Sequence, residues 1–192
     1  MSSAALRLPT YDELYDEIRA LPEGMTGEIL SLGELRVMSR PGAGHRLSSR
    51  RVQRALRGQD VDEGGTGWWI EVEAEIQLPD ERLYVPDLAG WRADGIPTFI
   101  KDNPITTVPD WTCEILSRAT QAADRVRKLP HYIAAGVGHV WVLDPAARTI
   151  EVYQAMNGRP ALIAAVEGEG TVTLPPFDTP IDVGALWLER AK

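Results

Sequence analysis

The segments VPDLAGWR (85–92) and PDWTCEILSRATQAADRVRKLPHYIAAGVGHVWVLDP (109–145) decide how this chain is read. Asp87 and Glu114 each sit in a short apolar run that reads as a strand, LYVPDLAGW and WTCEILS. A helix follows the second run. Thr120 is placed to cap it, it extends to about Ala135, and Gly136 ends it as the residue just past the C-terminus. Pro130 lies inside that helix and removes one backbone donor, which predicts a kink or a split. GHVWVLD and RTIEVYQ are then two strands of a hairpin that turns at Asp144-Pro145-Ala146-Ala147. Asp124, Lys128 and Tyr132 recur at i, i+4 and i+8 and share roughly one helix face.

Outward from this centre, TYDELYDEIRAL opens with a capping box, Thr10 as N-cap and Glu13 three residues on. Tyr11, Leu14, Ile18 and Leu21 give it an apolar face. GEILSLGELRVM reads as a hairpin turning near Leu32-Gly33. From Ala43 to about Gly58 the pattern is helical, with Leu47, Val52 and Leu56 facing inward. Arg46, Arg50, Arg51, Arg54 and Arg57 cover the rest of that helix, a quarter of the 20 lysines and arginines in the chain. WWIEVEAEIQL alternates strictly and predicts one strand. Ile70, Val72, Ala74, Ile76 and Leu78 form its buried face, and Glu71, Glu73 and Glu75 its other face. Residues 92–109 read as a loop. A further strand is expected near Ala161–Val166, and VGALWLER reads as a last turn or two of helix.

Composition sets bounds on partners and compartment. With 192 residues, 44% of them hydrophobic, the chain is expected to form one domain over 1–192 with an adequate core. No apolar run is long enough to span a membrane, and the N-terminus lacks the apolar region of a secretory signal. Cys113 is the only cysteine, so no internal disulfide can form, which suits a reducing cytoplasm. The net charge of −8 means that any contact with nucleic acid must be made through a local basic patch. Zinc spacings and glycine-rich phosphate loops do not occur.

The candidate chemistry is metal-assisted hydrolysis of a phosphate ester. A hard divalent cation answers charge on phosphoryl oxygens and lowers the pKa of its bound water. Mg²⁺ uses one or two carboxylates and keeps several waters. Asp87 and Glu114 would supply the carboxylates and the Ile115 carbonyl a third oxygen, since a strand end leaves it unpaired. Lys128 would hold the phosphate or orient the water. Each residue also has a plainer reading. Asp124 and Lys128 could form an ordinary helix ion pair, and Asp87 could be a turn residue after Pro86. Glu73 and Glu75 could be solvated or lean toward the cation. His45 could cap its helix or contact phosphate, and Glu28 divides similarly. The arginine helix could be a solvated face, or Arg46, Arg50 and Arg54, with His45, could contact phosphates. Glu114 is harder to set aside, because a carboxylate among apolar neighbours is costly to bury without a partner. Cys113 points to the opposite face as a small core residue.

Taken together, VPDLAGW, DWTCEILSRAT and DRVRKLPHYIAAGVGHVWVLDP resemble the Uma-type family, within the PD-(D/E)XK nuclease superfamily. The resemblance spans nearly the whole chain. It implies an α/β (α+β) restriction-endonuclease-like fold, a mixed sheet flanked by helices with the site at one sheet edge. By resemblance Asp87 is the PD aspartate and Glu114 the second acidic residue. Glu28 matches the early acidic position and His45 the histidine that follows. The superfamily lysine expected two residues after Glu114 is Leu116 here, and the family's displaced lysine is Lys128. The resemblance implies Mg²⁺ or Mn²⁺, DNA as substrate, and a possible homodimer, because cutting both strands needs two sites. Three functions fit: a metal-dependent DNA endonuclease, a non-catalytic nuclease-fold module that binds nucleic acid or a protein partner, and a hydrolase of another phosphate ester.

Overall fold

The computed structural model describes residues 7–39, 42–96, 98, 100–117 and 121–187. The Thr120 cap therefore lies outside the described residues. Helix α1 (Tyr11–Arg19) starts at Thr10, and both hydrogen bonds of the capping box form. Its buried residues Tyr11, Leu14 and Ile18 pack on strand β1 (Met25–Ser31), which turns back through Leu32-Gly33 into β2 (Glu34–Ser39). Helix α2 (Ala43–Leu56) buries Val52 and Leu56 as expected, but Leu47 is 39% exposed. Leu47 lies five residues before Val52, about 140° round the helix. The buried stripe is completed by Ser48 and Ser49 instead.

The alternating run after α2 is two strands rather than one, β3 (Trp68–Val72) and β4 (Ile76–Gln77). Between them Glu73 takes a left-handed conformation (φ 53°), which costs roughly 1–2 kcal/mol for a residue with a Cβ. Val72 is consequently exposed rather than buried. LYVPDLAGW also divides, into β5 (Leu83–Tyr84) and β6 (Leu88–Arg92), because Pro86 cannot donate to a ladder. The chain continues through β7 (Trp111–Ile115) to a composite helix: α3 (Gln121–Ala123), a π-helical turn over Asp124–Lys128, and α4 (Leu129–Ala135). The helix splits just ahead of Pro130, where the Leu129 N–H reaches back five residues to the Asp124 carbonyl. Strands β8 (His139–Asp144), β9 (Thr149–Met156) and β10 (Arg159–Glu167) follow, then β11 (Thr171–Val172), β12 (Ile181–Asp182) and a 3₁₀ turn at Val183–Leu186.

Six strands form a mixed sheet in the order β10-β9-β8-β7-β6-β3, with β7 and β8 parallel across the composite helix and every other pairing antiparallel. One face carries α2 and the C-terminal segment over Trp111, Trp141, Phe177 and Trp187. The other carries α4 over Val140, Val142 and Tyr132. A second sheet, β2-β1-β5-β4, joins the first where β3 passes to β4 and β5 passes to β6. The two crossings are side by side, since the Glu73 N–H donates to the Asp87 carbonyl. Among the described residues no helix is long and apolar enough to cross a membrane.

Candidate active site

The seam between the sheets opens into a cleft of about 490 Å³. Asp87 leads out of the crossing into β6. The β6–β7 ladder ends at the Leu88–Cys113 pair, so the next outward residue of β7, Ile115, has an N–H and a carbonyl with no strand opposite. Asp87 Oδ2 accepts that N–H at 2.6 Å. The carbonyl faces His45 Nε2 at 2.8 Å, and the same nitrogen lies 3.3 Å from Asp87 Oδ1. His45, in the first turn of α2, therefore spans both oxygens as a donor. Burial lowers the His45 pKa, but the hydrogen bond and charge of Asp87 and the Ile115 carbonyl outweigh it, and the net direction is up.

Glu114 is the β7 residue whose side chain turns toward α4, while Cys113 packs on the opposite face beside Trp111. It is 3% exposed, and its carboxylate accepts from the Tyr132 hydroxyl at 2.7 Å and from Lys128 Nζ at 3.3 Å. Lys128 also meets Glu28 at 2.6 Å and Asp124 at 3.7 Å. Eight residues of plain α-helix would rotate Tyr132 about 80° away from Asp124. The wider π turn absorbs part of that drift and keeps Asp124, Lys128 and Tyr132 on the cleft side. The ammonium is thus enclosed by three buried carboxylates, Glu28 and Glu114 within hydrogen-bond distance and Asp124 as a longer ion pair. Burial alone would lower its pKa, but the charges of Glu114, Glu28 and Asp124 prevail and raise it, so Lys128 is cationic throughout the physiological range. The Glu114 pKa is also raised, well above the ordinary carboxylate value, because burial outweighs the charge of Lys128; for Lys128 the shift favours the charged form and for Glu114 the neutral one.

This asymmetry makes a stability prediction. A carboxyl whose folded pKa is raised binds its proton more tightly in the folded state. Folding stability is then present below the unfolded pKa and falls as pH rises through the folded one. Thermal midpoints are expected to decline as pH rises above the ordinary glutamate range. Glu114→Gln, which keeps the shape and carries no charge, should flatten that decline and raise the midpoint at pH 8. Each kcal/mol recovered corresponds to about 2–4 °C for a chain of this size. A decline equally steep in Glu114→Gln would show that other groups set it.

The donors available to a cation are oxygens: the carboxylates of Asp87 and Glu114 and the Ile115 carbonyl. Among the described residues no three His, Cys, Asp or Glu side chains converge at ligand spacing, so water must complete any shell. That donor set suits Mg²⁺, which commonly uses one or two carboxylates and retains water. Glu28 Oε2 is buried without a hydrogen-bond partner, and the Glu114 pKa is raised first by burial and then, after the opposing charge of Lys128, by the neighbouring carboxylates Asp124, Asp87 and Glu28. A divalent cation would offset that negative charge.

The model for a family described as "Putative restriction endonuclease", Uma2, matches residues 10–181. The chain belongs to the Uma2 family. The crystal structure of a "putative nuclease belonging to DUF820" from Anabaena variabilis is similar to it at a TM-score of 0.68 and 21% identity, over 93% of this chain and 97% of that one. At that identity the likeness establishes a shared fold. No curated protein matches the chain.

In this Uma2 member the two crossings also bring Glu73 and Glu75 to the cleft wall, where Glu75 accepts from the Tyr15 hydroxyl at 2.7 Å. The arginines of α2 divide in two. Arg46, Arg50 and Arg54 are exposed along one stripe. Arg51 donates to the Trp187 carbonyl and Arg57 pairs with Glu63 at 3.7 Å, so both serve the scaffold. Two cleft neighbours escaped the sequence reading. Tyr84 lies beneath Lys128, which stands 5.8 Å over its ring, and Arg36 faces Glu28 across the hairpin. Tyr84 is hidden by its distance in sequence from Lys128, and Arg36 by the pairing register of its hairpin.

Proposed function

We propose that this Uma2 member is a Mg²⁺- or Mn²⁺-dependent DNA endonuclease that hydrolyses phosphodiester bonds. The observation that carries this reading is the meeting of Asp87, Glu114, the Ile115 carbonyl and Lys128 in one cleft. Asp87, Glu114 and Ile115 would hold the cation, which supplies a lowered water pKa and a positive charge at the phosphoryl oxygens. Asp87 is fixed by the Ile115 N–H and His45, and Glu114 by Tyr132 and Lys128, so the donors are oriented before any ligand arrives. Lys128 keeps its proton and acts as a fixed positive charge rather than a base. Glu28 and Asp124 hold that ammonium in place. Arg46, Arg50 and Arg54 are positioned to meet phosphates beyond the cleft. Cleavage of both strands of a duplex by one site per subunit would call for a homodimer.

A second reading is a nuclease-fold module that binds without cutting. What favours it is the saturation of Lys128 by three carboxylates. Nicking of supercoiled plasmid in the presence of Mn²⁺ or Mg²⁺, with EDTA as control, separates the two. Cation binding is read independently from the thermal midpoint. At a free concentration 100-fold above Kd the gain is about 2.7 kcal/mol, or roughly 5–10 °C. A midpoint unmoved by millimolar Mn²⁺, together with intact plasmid, would leave the binding module standing.

A further inference from the structure

We propose that Arg36 is a substrate-binding residue, a guanidinium that anchors a phosphate of the nucleic-acid strand occupying the cleft. The inference rests on the nuclease reading and adds to it a contact outside the acidic and lysine residues. The cleft is lined by Glu73, Glu75, Asp87, Glu114 and Asp124 and by three potential cations, Arg36, His45 and Lys128. Such a surface repels a polyanion unless some donor is free to receive it. Lys128 is already ion-paired with three buried carboxylates, Glu28, Glu114 and Asp124. His45 has committed Nε2 to Asp87 and the Ile115 carbonyl.

Arg36 differs from both. It projects from β2 into the cleft beside Met38, two residues on and on the same strand face. Its ion pair among the described residues is a loose one, Nη1 to Glu28 Oε2 at 3.7 Å, and neither atom has a hydrogen-bond partner. The side chain is 23% exposed, while Glu28 is fully buried behind it. A guanidinium has five N–H donors in a planar fork matched to phosphate oxygens. Of these, Nη1 is buried beside Glu28, and the rest of the fork belongs to a partly exposed side chain at the wall of a concave site, where a phosphate oxygen could meet it. Glu28 links this residue to the reaction centre, since its other oxygen holds Lys128 at 2.6 Å. A phosphate on Arg36 would therefore lie one carboxylate away from the ammonium.

The test is binding of a fluorescein-labelled 20-nucleotide DNA, single-stranded and duplex, by anisotropy in EDTA across a salt series, with cleavage assayed separately in Mn²⁺. The proteins are wild type, Arg36→Gln and Arg36→Lys. Arg36→Gln is expected to weaken binding about tenfold and to lower the slope of log K against log salt by roughly one contact, 0.7 for single strands or 0.9 for duplex. Arg36→Lys guards against a folding defect. It keeps a positive charge beside Glu28, so the thermal midpoint should stay near wild type. A purely structural role would then be rescued, whereas a forked phosphate contact would not, and binding should remain several-fold weak. Unchanged affinity and salt slope in a folded Arg36→Gln, or full rescue by lysine, would overturn the assignment while leaving the nuclease reading intact. Wild type that neither binds nor cuts either DNA would overturn both.

Discussion

Replacing Lys128 with methionine is expected to lower the unfolding midpoint at pH 7 by roughly 6–20 °C. Lys128 is 4% exposed and compensates Glu28, Glu114 and Asp124, themselves 0%, 3% and 2% exposed. Removing one member of a buried ionic group costs about 3–5 kcal/mol, because the charges left behind have neither water nor a partner. At 2–4 °C per kcal/mol this gives the range above. The loss should shrink at pH 5, where the carboxyls can take up protons, and Glu114→Gln in the same chain should restore part of it. A midpoint within a degree of wild type at both pH values would mean that water reaches the cluster and the buried network is not what holds it. Cleavage by the methionine variant is expected to vanish even where the protein is folded.

Asp87→Asn is expected to reduce plasmid nicking on the order of 10³-fold, since a bound cation contributes several kcal/mol of charge stabilisation and each 1.36 kcal/mol is tenfold in rate. Asparagine is the informative substitution. It still offers an oxygen to the Ile115 N–H, which Asp87 Oδ2 accepts at 2.6 Å, whereas alanine would orphan that donor. The fold should therefore survive, with a midpoint close to wild type in EDTA. The Mn²⁺-dependent rise in midpoint should be lost along with nicking. Retention of that rise would place the cation elsewhere in the cleft, and retention of nicking would remove Asp87 from the reaction.

Local patterns carried much of the architecture. Thr10 and Glu13 fixed the start of α1 because a capping box needs only four neighbouring residues. Trp111–Ile115 and His139–Asp144 read as buried strands because both faces of the central sheet are covered. The run Trp68–Gln77 misled, because its alternation continues through a residue that leaves the strand. A left-handed Glu73 has no signature in side-chain hydrophobicity, and it stands where the chain passes from one sheet to the other, its N–H donating to the Asp87 carbonyl. That break turns Glu73 and Glu75 toward the cleft.

Asp87, Glu114 and Lys128 were legible as candidates from residue type and spacing, together with the family resemblance. How they are held was not. The wider turn ahead of Pro130 sets where Lys128 points, and its enclosure depends on Glu28, 100 residues earlier. Arg36 shows the limit most clearly. A two-residue turn at Leu32-Gly33 with an unbroken ladder would set Val37 against Glu28. The register slips between Ile29 and Ser31, and Arg36 takes that place instead. Short-range patterns therefore determined which elements form and which residues could react. Pairing register, strand breaks and the meeting of two sheets depend on contacts between distant segments, and those alone decided which charges face one another.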